Sequence, residues 1–298
     1  MKKLITILTP VYNRANALNH LYNSLLSQSV LNFEWLIIDD GSTDNLDDVI
    51  ASFSTVLFNI KKIKKENGGK HTALNVGISQ IETPLTFIVD SDDWLPSNSC
   101  EIIENAFYSI GDFKSNICGF SFLRAFSDGT VSGKKFRSNF LIDSYYKIRV
   151  LGNDFMCDKA EIFLTKILKE YPFPEFKNEK FLGEDIIWLE MSKKYSMVHI
   201  NEIVYIGDRV DGGLTANRRN NNIKSCKGSY LRAKTFLGFH LPFKLLVKTI
   251  LQLQIYGSFS KYSRKKIKDD SNHPFLFYIM WIPSRYIKNK WVRKYGQN

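Results

Sequence analysis

The feature that most constrains this chain is an alternation within its first hundred residues. Four short apolar runs are each closed by a polar cluster and separated by segments with helical spacing. Leu4 to Thr9 is the first run. Glu34-Trp35-Leu36-Ile37-Ile38 is the second, Val56 to Ile63 the third and Leu85 to Val89 the fourth. Between them, Leu18, Leu21, Tyr22, Leu25 and Leu26, then Val49, Ile50 and Phe53, then Ala73, Leu74 and Ile78 recur at helical intervals. A β-α-β-α-β-α-β order predicts an α/β fold, a mostly parallel sheet with helices on both faces. The clusters Thr9 to Arg14, Asp39 to Asp44, Asn67 to His71 and Asp90 to Asp93 follow the carboxyl ends of the strands. In an open parallel sheet ligands bind at that edge, so the four clusters are expected to converge there.

The last cluster is the most acidic. Asp90-Ser91-Asp92-Asp93 places three carboxylates within four residues. Such charges repel one another unless a cation is shared between them. Mg²⁺ or Mn²⁺, which prefer hard oxygen ligands and substrate phosphates, suit that role. Read alone, the tetrad fits equally a solvated loop capping the helix expected near Ser97.

Several familiar sites are excluded by the residues present. Gly68-Gly69-Lys70-His71 has Lys64 in place of the first glycine of a phosphate loop, and His71 where Ser or Thr is needed. Trp94 and Leu95 follow the tetrad where a calcium loop needs a ligand and a glycine. Pro10-Val11-Tyr12-Asn13 after the first strand gives no dinucleotide fingerprint. What remains is an aromatic face at Tyr12, a carboxylate at Asp40, an Asn/Gly/Lys loop and a metal-ready acidic turn. A uracil ring offers a face for Tyr and an N–H for a carboxylate, and a diphosphate calls for a metal ion. Together they suit a nucleoside diphosphate.

These segments, in this order, resemble the family 2 glycosyltransferases of the GT-A fold, of bacterial surface-polysaccharide type. The resemblance rests on Thr9-Pro10-Val11-Tyr12-Asn13, Ile38-Asp39-Asp40-Gly41-Ser42-Thr43-Asp44, Asn67-Gly68-Gly69 with Ala73-Leu74-Asn75-Val76-Gly77, and Asp90-Ser91-Asp92-Asp93. It covers residues 1–100 most strongly and reaches Gly183-Glu184-Asp185, similar to the family's Glu-Asp acceptor-site motif. The resemblance implies a metal-assisted single displacement, with inversion, from a UDP-sugar (hexose or N-acetylhexosamine) to a saccharide hydroxyl. It implies that Pro10 and Tyr12 line the base pocket and Asp40 accepts the uracil N3–H. Asn67, Gly69, Lys70 and Asn75 would shape the nucleotide loop. Asp90 would bind ribose, with Ser91 beside it, and Asp92 would ligate Mg²⁺ or Mn²⁺, with Asp93 as a further ligand. Asp185, next to Glu184, would be the general base. Thr43 and Asp44 are expected only to fix a turn. Trp188 suits sugar stacking and core packing equally.

Charge divides the chain. Residues 229–298 hold 14 Lys and Arg against Asp269 and Asp270, whereas the first 228 residues hold 27 basic and 28 acidic side chains. The expected organisation is a GT-A domain over 1–228 (a nucleotide-binding half, 1–100, and an acceptor half, 101–228) and a basic, amphipathic helical extension over 229–298. Neither Phe236 to Phe259 nor Phe275 to Ile282 has the roughly 20 uninterrupted apolar residues of a membrane span. Basic helices with large aromatic side chains lie in membrane interfaces, so an anionic membrane surface is the expected partner. A lipid-linked saccharide acceptor would then be met there.

Four scattered cysteines without a CxxC pair, and no signal-like leader, lead to the expectation of a reduced, cytoplasmic protein on the inner face of the membrane. A nucleotidyltransferase would need a basic phosphate loop near the N-terminus, where Arg14 is the sole candidate. A nucleic-acid-binding protein is disfavoured because a near-neutral body with an acidic cleft repels phosphate, and no nucleic-acid partner is expected. Residues 100 to 182 are read least well. Ile117 to Phe122 and Val198 to Ile206 are expected strands, and Gly212-Gly213 with Arg218 to Asn222 a mobile loop.

Overall fold

A computed structural model describes residues 3–54, 56–111, 116–155, 157–208 and 217–295. The chain forms two compact units, Met1–Phe173 with Met191–Arg209, and Pro174–Glu190 with Val210–Asn298.

The first unit is built on an eight-stranded sheet. Its strands are β1 (Ile5–Val11), β2 (Phe33–Asp39), β3 (Ile60–Lys64), β4 (Leu85–Ile88), β5 (Ile117–Ala125), β6 (Leu141–Asp143), β7 (Lys159–Leu164) and β8 (Ser196–Ile206). The spatial order is β3-β2-β1-β4-β7-β5-β8-β6. β3, β2, β1 and β4 run parallel, as the alternation predicts. Helices α1 (Leu18–Leu26), α2 (Leu46–Ser52) and α3 (Lys70–Gln80) join them, and α4 (Ser99–Ser109) follows β4. β1 is buried along its whole length because it lies inside the sheet with helices on its faces, hence its unbroken apolar sequence. β3 is the edge strand, and its exposed Lys61, Lys62 and Lys64 are the charged side chains that keep an edge from pairing with another chain. It begins at Ile60, later than the expected Val56, whose side chain is fully exposed.

The chain steps outward from β1 to β2 and β3, then crosses back to place β4 on the other side of β1. That reversal is a topological switch, and in open sheets ligands bind at such a switch, here outside the carboxyl ends of β1 and β4. Beyond β4 the parallel pattern ends. β7 pairs antiparallel with both β4 and β5, so β5 recovers the direction of β4, and β8 runs parallel to β5. The carboxyl ends of β5 and β8 therefore lie at the same edge as those of β1 and β4. A short helix, α5 (Thr165–Leu168), follows β7.

The second unit is helical, with α6 (Asp185–Ser192) entering it and α7 (Arg218–Lys224), α8 (Cys226–Leu237), α9 (Phe243–Phe259), α10 (Arg264–Ser271) and α11 (Pro274–Tyr295) completing it. Residue 228, the expected end of the first domain, lies inside α8. Arg218 to Asn222, expected to be loop, is instead the body of α7, its one buried side chain being Ile223. The polar run Arg-Arg-Asn-Asn-Asn hid a helix with a single apolar contact. Gly212-Gly213 lies outside the described residues. α8 to α11 bury their own core of Tyr230, Phe236, Ile250, Leu253, Ile255, Ile267 and Phe277. Asp270 is a charged anchor within it, accepting from Tyr230 Oη at 2.6 Å and pairing with Lys234 and Lys266 at 2.8 and 2.9 Å. Among the described residues no helix is long and apolar enough to cross a membrane. All four cysteines are free thiols.

Candidate active site

Three of the polar clusters are tied to one another by hydrogen bonds. Asn13, in the left-handed conformation at φ 51°, accepts from the Thr43 backbone N–H at 2.8 Å, and its own N–H donates to Ser42 Oγ at 3.1 Å. Asp44 accepts from the Ala15 N–H at 2.9 Å, and Asp39 Oδ1 from the Ser42 N–H at 2.7 Å. Thr43 and Asp44 thus reach beyond their own turn to hold the loop after β1.

Asp40 joins that turn to the third cluster. Its Oδ1 accepts from Lys65 Nζ (2.8 Å) and the Gly68 N–H (2.9 Å), and its Oδ2 from Asn67 Nδ2 (3.1 Å) and the Gly69 N–H (2.7 Å). Four donors fill the acceptor sites of one carboxylate. Gly69 takes φ 96°, a region that side chains avoid, and α3 begins at the next residue. Asp39 differs: its Oδ2 is buried without a hydrogen bond, 3.6 Å from Lys64 Nζ. Asn75, expected in the nucleotide loop, pairs both ends of its amide with the Phe173 backbone, at 2.8 Å each. Tyr12 follows β1 with 48% of its surface exposed, whereas Pro10 is buried in the strand.

The acidic tetrad closes the circle. Arg14 reaches Asp92 Oδ2 at 2.5 Å, and Lys70, the first residue of α3, reaches Asp90 Oδ1 at 2.5 Å. Lys70 holds Asp90 below the usual carboxylate range, although burial works against its charge. Ser91 is buried between them in sequence. Asp93 is buried too, and accepts from Tyr205 Oη at 2.7 Å and Arg124 Nη2 at 3.3 Å. Tyr205 Oη also accepts from the Asp90 backbone N–H at 3.0 Å, and the Arg124 guanidinium lies 5.0 Å from its ring centre. Burial pushes the Asp93 carboxyl up to about 7, the charge of Asp90 adding and that of Arg124 opposing. Gly207, next after β8, fits because a Cβ there would stand 2.0 Å from Asp93 Oδ1.

Each carboxylate of the tetrad therefore has its own cation: Arg14, Lys70 and Arg124. Arg124 and Tyr205 are two residues that the sequence did not single out. Both are the last but one of their strands, and a polar side chain ending an apolar strand is the signal they carried. Lys65, which reaches Asp40, was missed for want of any pattern around it.

Among the described residues, no three His, Cys, Asp or Glu side chains gather as a complete metal cage. The donor set still fits Mg²⁺ or Mn²⁺, which keep several waters and take one or two carboxylates plus substrate phosphate. Asp90 and Asp92 offer hard oxygens only, with side chains 35% and 26% exposed. Asp93 has both oxygens engaged by Arg124 and Tyr205.

Glu184 and Asp185 stand at the start of α6, within the second unit. Asp185 receives Arg232 Nε at 2.8 Å on Oδ1 and 2.9 Å on Oδ2, with Nη2 also on Oδ2. Trp188 is 6% exposed, so it packs in the interior.

Residues 6–157 match the family described as Glycosyl transferase family 2. Glycosyltransferase GlyA of Streptococcus pneumoniae is 31% identical over 143 residues, covering 48% of this chain and 20% of that protein. The minor teichoic acid biosynthesis protein GgaA of Bacillus subtilis is 36% identical over 110 residues, covering 35% and 25%. The aligned part is thus no more than about a quarter of either relative's length. Among solved structures, Staphylococcus aureus TarS 1–349 in complex with UDP-GlcNAc superposes with a TM-score of 0.62 at 16% identity, over 99% of this chain and 92% of that one. The mannosyltransferase PcManGT of Pyrobaculum calidifontis, in complex with GDP-Man and Mn²⁺, gives 0.55 at 14% identity, over 98% and 88%. At those identities what is shared is the fold, the GT-A-like α/β sheet followed by C-terminal helices.

Proposed function

The chain belongs to glycosyl transferase family 2, and from that premise we propose that it transfers a hexose or N-acetylhexosamine from a UDP-sugar to a saccharide hydroxyl, with inversion. The observation that carries this reading is the bonding of all four polar clusters into one site at the topological switch of the sheet. The TarS complex with UDP-GlcNAc makes a UDP-sugar the first donor to try.

In this reading the uracil ring stacks on the exposed face of Tyr12 beside the Asp39–Asp40 turn. Asp40, expected to accept the uracil N3–H, has its carboxylate taken by Lys65, Asn67, Gly68 and Gly69, so in this reading it fixes the Asn67-Gly68-Gly69 loop and presents it to the nucleotide. Asp90 faces the ribose. Asp92 is the principal ligand of Mg²⁺ or Mn²⁺, and Asp93, gripped by Arg124 and Tyr205, sets the turn that carries it. A divalent cation bound there supplies charge neutralisation to the departing diphosphate. Asp185, with Glu184 beside it, takes the proton of the acceptor hydroxyl as that oxygen attacks the anomeric carbon. Direct displacement turns an α-linked donor into a β-linkage.

The C-terminal unit supports a peripheral site of work on the inner face of the cell membrane. Phe275, Tyr278, Ile279, Ile282 and Tyr286 form one exposed stripe of α11, with Phe275, Ile282 and Tyr286 more than 70% exposed. Lys290, Arg293 and Lys294 continue that helix, which holds no acidic residue. Such a helix suits an anionic lipid surface and a lipid-linked saccharide acceptor. The reading is tested by a screen of UDP-sugars with Mn²⁺, following UDP release in the presence of saccharide acceptors. Acceptor-dependent release from one UDP-sugar is expected, and none from any donor would overturn it.

A further inference from the structure

The tetrad has three cations where the proposed chemistry needs at least one of its carboxylates for a metal. Arg124 is committed, since it is largely buried, pairs with Asp93 and lies over the Tyr205 ring. Arg14 is placed differently. Its neighbours in the chain are pinned, Asn13 to Ser42 and Thr43 and Ala15 to Asp44, so its backbone cannot follow a ligand. Its side chain is 32% exposed and crosses to Asp92 from a different strand end. A long side chain on a fixed base can change partner by rotation alone.

Electrostatics dictates that change. A dication on Asp92 and a guanidinium on the same oxygen repel each other. A diphosphate arriving with the metal offers the planar guanidinium a pair of anionic oxygens to hold bidentately in exchange. After the exchange no charge is left unpaired: the carboxylate faces the metal and the arginine faces phosphate.

We propose that Arg14 is an exchangeable counter-ion, paired with Asp92 until a divalent cation takes that carboxylate and with the donor's diphosphate thereafter. This rests on the assignment of Asp92 as metal ligand made above. It makes Arg14 a diphosphate-binding residue, and makes metal and nucleotide binding mutually reinforcing, because each removes the other's competitor.

Two titrations test it on the full chain, by calorimetry with MnCl₂ alone and with UDP, UMP or uridine at saturating MnCl₂. Arg14→Gln should bind Mn²⁺ alone about three- to fivefold more tightly than the wild type, because a partly exposed competitor is gone. The same variant should bind UDP at least about tenfold more weakly, the loss of a charge-assisted pair, and uridine unchanged. Arg14→Lys should fall between on UDP. A merely structural arginine gives no such opposite signs. Unchanged or weaker Mn²⁺ binding in Arg14→Gln, alongside a wild-type response that Asp92→Asn abolishes, overturns the role of Arg14 alone. No Mn²⁺ binding by either the wild type or Arg14→Gln overturns the metal assignment and this inference together. Equal losses for UDP and uridine would show a collapsed base pocket and also reject it.

Discussion

Arg232 grips the Asp185 carboxylate side-on, its Nε within 2.9 Å of both oxygens and its Nη2 on Oδ2. The guanidinium fixes the plane of the carboxylate, and so the direction from which it would take a proton in the proposed reaction. Asp185→Asn should lower transfer by about 10²- to 10⁴-fold, the usual worth of a general base, with UDP affinity nearly unchanged. Loss of UDP binding in that variant would remove Asp185 from the base role. Arg232→Gln should lower kcat while sparing UDP affinity, and Arg232→Lys should recover part of it.

Removing the proposed metal ligand should have the opposite signature. Asp92→Ala is expected to weaken UDP binding in Mn²⁺ by about tenfold or more and to leave the metal-free affinity for uridine alone. A Mn²⁺ titration indistinguishable from wild type would count against Asp92.

Asp40 is a stability residue as well as a residue of the proposed site. Asp40→Asn puts an amide N–H₂ against donors that now converge on an oxygen, so the variant should lose about 1–3 kcal/mol in urea denaturation. Wild-type stability in this variant would mean that the loop after Lys65 is held by other bonds.

Histidine 199 sets an acid limit. It is wholly buried, its Nε2 3.2 Å from the Asp143 carbonyl, and burial presses its pKa down to about 4, with the charge of Arg149 adding and the Asp143 bond opposing. The unfolded chain takes up this proton below the ordinary value of 6.5 and the folded chain does not until about 4. Stability from this residue is therefore complete above pH 6.5 and falls as the pH drops towards 4, by up to roughly 3 kcal/mol. Denaturation at pH 7.5 and 4.5 should show the loss, and His199→Gln should flatten it; an equal slope in both proteins would acquit His199.

The stripe on α11 should be separable from the fold. Ile282→Ser with Tyr286→Ser changes two exposed side chains, so the circular dichroism spectrum should not move. Flotation with phosphatidylglycerol vesicles at low salt should fall at least about fivefold. Wild-type protein that fails to float, or a double variant that floats equally, would leave α11 without this role.

The first hundred residues were legible because each strand is local, buried and parallel, so composition, period and end cluster coincide. β1, β2 and β4 stand where their apolar runs lie, and all four clusters meet. The cation that a packed acidic turn demands was legible as a need, but its supply was not. A metal is one answer; Arg14, Lys70 and Arg124 are another, and pairs separated by 20, 31 and 78 residues leave no periodic trace. Arg218 to Asn222 was misread because α7 has one apolar anchor, too few to set a period. Asn75 reads as a loop ligand until Phe173, nearly a hundred residues on, is seen to occupy its amide.

The bond from Tyr205 to Asp93 has a consequence for synthesis. Residues 1–100 carry the recognisable motifs, but the turn they end in is braced by a side chain made more than a hundred residues later. A nascent chain that has emerged only as far as β7 has the acidic turn without its brace and without Gly207, which leaves room for it. If the chain takes the donor proposed above, affinity for it should arise late in translation, when β8 enters the sheet, and half-made chains should not sequester sugar nucleotide.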